Sequence, residues 1–141
     1  MLLNISYNDR KVHEKVLNEV GSPLRLVERF KLGGSGSPKL FITKASLQIY
    51  NLLILDNNIN TCNIEIRSEG IIIRFRSLLE TYALIIPFYK LNIYKGSAQE
   101  YTLYRDSYFI RIAAKTPQVH NFMKKLRSFK DEKSDTNIED L

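Results

Sequence analysis

The chain has 141 residues, 44% of them hydrophobic and 26% charged, with a formal net charge of +6. That length suits one domain with its own core, and no apolar run approaches the roughly 20 residues that a membrane-crossing helix needs. The single cysteine, Cys62, excludes an internal disulfide, so a reducing cytoplasm is the expected location.

The charge is segregated. Residues 131–141 hold five acids and one base, which leaves a net +10 over residues 1–130. An acidic end of this kind is expected to be a disordered, solvating tail, able to lie back on the basic body and compete with an anionic partner. At the other end, "MLLNISYNDRKVHEK" places its charges after a short apolar patch, the wrong order for an export signal.

Residues 10–20 set Val12, Val16, Leu17 and Val20 on one stripe and stop at Gly21, which predicts an amphipathic helix. Residues 22–32 suit either a helix entered at Ser22-Pro23 or an alternating strand, with the helix slightly favoured. "LGGSGSPKL" follows and invites a phosphate-loop reading. A Walker loop from Gly33 needs a glycine where Pro38 stands, a dinucleotide fingerprint from Gly34 needs one at Lys39, and a nucleophile elbow from Gly33 needs one at Ser37. A flexible loop of small residues is the expectation.

From Pro38 the hydrophobic period becomes two. "LFIT", "SLQIYNLLI", "TCNIEIR", "GIIIRFR", "YALIIP", "KLNIYK", "EYTLYR" and "SYFIRIAA" read as short strands divided by "DNNIN", "SEG", "KGSAQ" and "RDS". An antiparallel meander curling into a barrel or sandwich is predicted, with no helix interrupting it. After Ala114, Thr116 and Pro117 open a helix whose Val119, Phe122, Met123, Leu126 and Phe129 recur at three- and four-residue steps. Its stripe must cover the open mouth of the sheet.

This order, seven or so antiparallel strands and then one amphipathic helix, resembles the bacterial pleckstrin-homology-like (PH-like) domains. The residues that carry the resemblance lie within 66–129: "IRSEGIIIRFR", "LIIPFYKLNIYKG", "SYFIRIAA" and "VHNFMKKL". It implies that Leu91 and Ile93 enter the core, and that the protein binds a peptide, protein or lipid headgroup. The basic pairs of the family's lipid sites are missing around "GGSGSPK", so no lipid site follows. The expected fold is thus mainly β with flanking helices (α+β). Residues 1–37 form a helical segment with its Gly/Ser loop, 38–130 a partly open PH-like barrel of about seven strands with a capping helix, and 131–141 the acidic tail.

Strand alternation sends Arg67, Arg74 and Arg76 to one outer sheet face if the strands around "SEG" form a hairpin, with Arg111 opposite Ile110 and Ile112. Together with Lys39 and Lys44 these are the candidate anion- or partner-binding residues, because guanidinium forks grip carboxylate or phosphate. Tyr82, Tyr89, Tyr94, Tyr101, Tyr104 and Tyr108 are expected to be half-buried packing residues. His13, His120 and Cys62 lack ligand spacing, Cys62 is expected to face the core beside Ile64, and no acid, base and nucleophile set stands out. No catalytic residue, metal or cofactor is therefore expected. The expected function is a non-enzymatic binding or scaffold module for a protein or peptide. The alternative is an anionic surface, membrane headgroups or nucleic acid, met through the basic sheet face, and a second copy could pair along the sheet edge.

Overall fold

The computed structural model describes residues 1–55, 60–96 and 99–139. Its strands are β1 (Leu2–Asn4), β2 (Leu40–Ala45), β3 (Thr61–Ile66), β4 (Gly70–Ser77), β5 (Glu80–Pro87), β6 (Asn92–Lys95), β7 (Glu100–Arg105) and β8 (Tyr108–Ala113). All pairings are antiparallel, in the order β1-β5-β4-β3-β2-β8-β7-β6, so the sheet curls without closing. The helices are α1 (Arg10–Val20), α2 (Leu26–Leu32), α3 (Leu47–Leu53) and α4 (Pro117–Glu139). The expected class, mainly β with flanking helices around a partly open barrel, is the observed one.

The inner face follows the predicted alternation. Leu40, Cys62, Ile64, Ile66, Ile71, Ile73, Phe75, Leu84, Ile86, Leu103, Ile110 and Ile112 form one buried cluster with Val119, Phe122, Met123, Leu126 and Phe129 of α4. Full burial of each such side chain stabilises by about 1.5–3 kcal/mol, which is what holds α4 across the open side. Leu91 is buried in that cluster and Ile93 packs against it half-buried. The helix starts where expected, with the Thr116 hydroxyl accepting from the Val119 amide at 3.4 Å.

Three local expectations change. Residues 47–53, read as a strand, form α3, because Ile49 and Leu53, four apart, reach the core together and the Ser77 hydroxyl donates to the Leu52 carbonyl. Residues 1–37 are part of the sheet's architecture: β1 pairs with β5 through Leu2 and Leu84, and α1 lies on the sheet. The acidic segment expected to be disordered continues α4 as far as Glu139, and residues 140 and 141 lie outside the described residues. The predicted turns "DNNIN" and "KGSAQ" also fall partly outside them.

The Gly/Ser loop is held along β3. Gly33, at φ 79°, caps α2, and the amides of Gly33 and Gly34 donate to Phe30 and Arg29 carbonyls. Beyond them the Ile66 amide donates to the Ser35 carbonyl, the Ser37 amide to the Ile64 carbonyl, and the Ile64 amide to the Ser37 hydroxyl, each at 2.8 Å. β2 pairs with β3 only through Leu40 and Phe41, so this loop continues the ladder where β2 does not reach.

The outer face is covered at one end. Val16 and Val20 of α1 pack on Ile72, Ala83 and Ile85, with Met1, Leu3 and Ile5 around them. This second cluster explains why "GIIIRF" departs from alternation: Ile71, Ile72 and Ile73 are all buried, the middle one beneath α1. Two glycines make the contact possible. Gly21 leaves the helix at φ 77°, ψ −172°, where a Cβ would also collide with the Ser68 hydroxyl. A Cβ on Gly70 would stand 2.5 Å from the Ile86 carbonyl oxygen and 2.6 Å from Val20 Cγ1. Gly70→Ala is therefore expected to destabilise the fold by about 2 kcal/mol through overpacking, read as a lower urea midpoint with an unchanged slope.

Candidate functional site

Past the edge of α1, the outer faces of β3 and β4 point polar residues away from the core. Asn63 pairs with Arg74 and Glu65 with Ile72 across the strands, so Asn63, Arg74 and Arg76 continue the surface that Ile72 begins. Ser37 and Lys39 flank this surface on one side and the Leu78–Leu79 turn, with Thr81, on the other. Between them is a concavity of about 700 Å³ whose floor also includes Asn60 and Thr61. Its described lining carries Lys39, Arg74 and Arg76 and no Asp or Glu.

Glu65 decides how two of the arginines stand. Its Oε1 lies 2.8 Å from Arg74 Nη1 and its Oε2 2.7 Å from Arg67 Nε. Arg67 is buried and donates from Nη1 to the Gly21 carbonyl at 3.3 Å, while its backbone bridges Pro23. The expected trio is thus corrected: the 21–23 segment lies over Arg67 and makes it a clamp between α1 and the β3–β4 hairpin. Arg74 is half-buried and lines the concavity, and Arg76 is exposed. A smaller cavity of about 340 Å³ beneath α1 has both Arg67 and Arg74 in its wall.

Lys44 and Arg111 face each other across β2 and β8, and neither lines the concavity. Arg111 is half-buried and donates from Nε to Thr102 Oγ1 at 3.2 Å. Of the six candidates, Lys39, Arg74 and Arg76 come together. Asn60, Asn63 and the two leucines escaped the sequence reading. Pairing Asn63 with Arg74 was within reach of strand alternation, whereas Asn60 and Lys39 meet only through the folding of the loop onto β3.

The free sheet edge at β6 is modified by α4, whose Arg127 donates to the Ile93 carbonyl at 3.3 Å. Tyr101 is buried, with its hydroxyl 3.1 Å from His120 Nδ1, whereas Tyr89 and Tyr94 are exposed rather than half-buried. Tyr82, Tyr104 and Tyr108 are half-buried, as alternation suggested. His13 is exposed on α1 and lines the smaller cavity beneath that helix. Among the described residues, no helix is long and apolar enough to cross a membrane and no three His, Cys, Asp or Glu side chains group as metal ligands. No family model matches this chain, and no curated protein or solved structure matches it.

Cys62 faces the core beside Ile64, where burial pushes its thiol up from 9.0 to about 12. The folded chain therefore keeps this proton while the unfolded chain releases it from about pH 9. Stability from this group is intact below that pH and falls as pH rises from about 9 toward 12, by at most about 1.4 kcal/mol per pH unit. Urea titrations at about pH 8 and about pH 10 are expected to show a larger loss for the native chain than for Cys62→Ala, with other titrating groups common to both.

Proposed function

We propose that this chain is a non-enzymatic binding module of PH-like architecture that receives an anionic partner on its basic concavity. The observation that carries the reading is the convergence of Lys39, Arg74 and Arg76 on a concave surface whose described lining has no carboxylate. A solvated sheet face ordinarily intersperses both signs. Strands β2 to β8 followed by α4 across the open side support the architectural part. The buried, protonated Cys62 and the separate settings of His13 and His120 support a binding role over nucleophilic chemistry. An anion entering the concavity would meet charge-assisted donors from two guanidiniums and one ammonium, with the Asn60 and Asn63 amides as neutral donors.

Inorganic polyphosphate is the simplest probe. Lys39→Gln/Arg76→Gln is expected to weaken its binding at least about tenfold at low salt and to flatten the salt dependence, with an unchanged unfolding midpoint. Unchanged affinity in that variant overturns the reading.

A second reading, a protein partner docked on α2, is favoured by one observation. Leu26 and Phe30 are 79% and 88% exposed, one turn apart, with Val27 exposed between them and Arg25 and Lys31 alongside. The partner surface that fits is apolar with an acidic rim. Leu26→Ser/Phe30→Ser is expected to leave stability within about 0.5 kcal/mol, because neither side chain is buried. A photo-crosslinker beside this face is expected to give an adduct that the double substitution removes; an adduct that persists unchanged sinks the reading.

A further inference from the structure

We infer that the basic concavity takes a short acidic segment of a partner protein, and that one apolar side chain of that segment lodges against the Leu78–Leu79 turn. The inference rests on the anionic-partner reading above and names the class of partner.

The turn carries it. Two hairpins of this sheet close with two-residue loops, Leu78–Leu79 between paired Ser77 and Glu80, and Asp106–Ser107 between paired Arg105 and Tyr108. Each loop places its first residue at positive φ, 56° for Leu78 and 51° for Asp106. Aspartate tolerates that backbone because its short polar side chain bonds locally; leucine does not, and pays about 1–2 kcal/mol in steric conflict. Glycine at the first loop position would close the same hairpin without strain. Leu79, beside Leu78, gains little from the fold, since it is 89% exposed. A strained turn that holds apolar surface in water at the rim of a cationic recess is explained by an occupant with matching chemistry.

The shape of the recess selects among anionic occupants. Lys39, Arg74 and Arg76 line a concavity, which a side chain can enter and a planar bilayer cannot follow. The only aromatic among its described lining residues, Phe75, belongs to the buried core and offers no face on which a nucleic-acid base could stack. Carboxylates on a flexible segment reach the guanidiniums and the Asn60 and Asn63 amides, while an aliphatic neighbour covers Leu79.

The test uses the full chain and five probes: a Glu/Asp peptide with a single leucine, the same peptide with serine in its place, inorganic polyphosphate, a single-stranded oligonucleotide, and vesicles of phosphatidylcholine and phosphatidylserine in equal parts. The leucine peptide is expected to bind about tenfold tighter than the serine peptide, the worth of one covered aliphatic side chain. Leu79→Ser is expected to erase that difference and leave polyphosphate binding unchanged. Leu78→Asn, which relieves the strained φ, is expected to raise the unfolding temperature by a few degrees and to shrink the same difference. Equal binding of the two peptides overturns the inference, as does a preference for leucine that survives both substitutions, or tighter binding of vesicles or oligonucleotide than of the leucine peptide. Polyphosphate binding that is lost in Lys39→Gln/Arg76→Gln while the peptides bind equally sinks the inference alone. Polyphosphate binding unaffected by that variant sinks the underlying reading as well.

Discussion

The contact of α1 with the outer face of β4 and β5 is the constraint from which the surface of this protein follows. A curled antiparallel sheet has an inner face filled by side chains and an outer face free to be wet. Here Val16 and Val20 cover Ile72, Ala83 and Ile85 and leave the next rows bare. The border between dry and wet runs through β4 itself, between Ile72 and Arg74, two residues apart on one strand face. The approach is close enough that Gly70 admits no side chain and Gly21 must leave the helix in a conformation that only glycine adopts without strain. Shift α1 by one turn along the sheet and a different pair of β4 residues would be wet.

The curl itself is held from both ends of the strand order. Arg105, near the far end on β7, donates from Nη1 to the Ile85 carbonyl of β5 at 2.6 Å and to Glu19 of α1 at 3.2 Å. A buried guanidinium is costly to desolvate, and it is tolerated where a carboxylate and a carbonyl satisfy it. This one ties β7, β5 and α1 across the side of the barrel that no backbone ladder closes, while α4 fills the opening with five apolar side chains. Hydrophobic filling supplies the stabilisation, and the arginine fixes which edges meet.

What the sequence showed was whatever depends on a single periodicity. Period-two alternation from Leu40 to Ala113 located seven strands, and the three- and four-residue steps from Val119 to Phe129 located the capping helix together with its buried stripe. The misreadings share a physical cause. "SLQIYNLLI" satisfies both periods, and only its position at the end of β4 selects the helix. Arg67 alternates with Arg74 in phase, yet a segment more than forty residues earlier in the chain covers one and leaves the other half-open. β1 is too short for any period to reveal. Lys39 was a candidate on charge alone, and its meeting with Arg74 and Arg76 depends on a loop adding itself to β3, which local propensity does not encode.

The electrostatic character of the concavity then turns on Glu65. A sheet face with two arginines and a glutamate in adjacent rows would be close to neutral if the carboxylate stood among them. Instead β-strand register places Glu65 opposite Ile72, at the border of the dry region, where it forms an ion pair with Arg67 on the covered side and with one nitrogen of Arg74 on the open side. Its charge is shared between the two arginines, and the recess beyond, which Glu65 does not line, keeps the fields of Arg76 and Lys39. The same pairing orients the Arg74 fork, so that its remaining donors need little ordering when an anion arrives. One carboxylate at a register position thus both anchors α1's end to the hairpin and leaves the neighbouring surface positive.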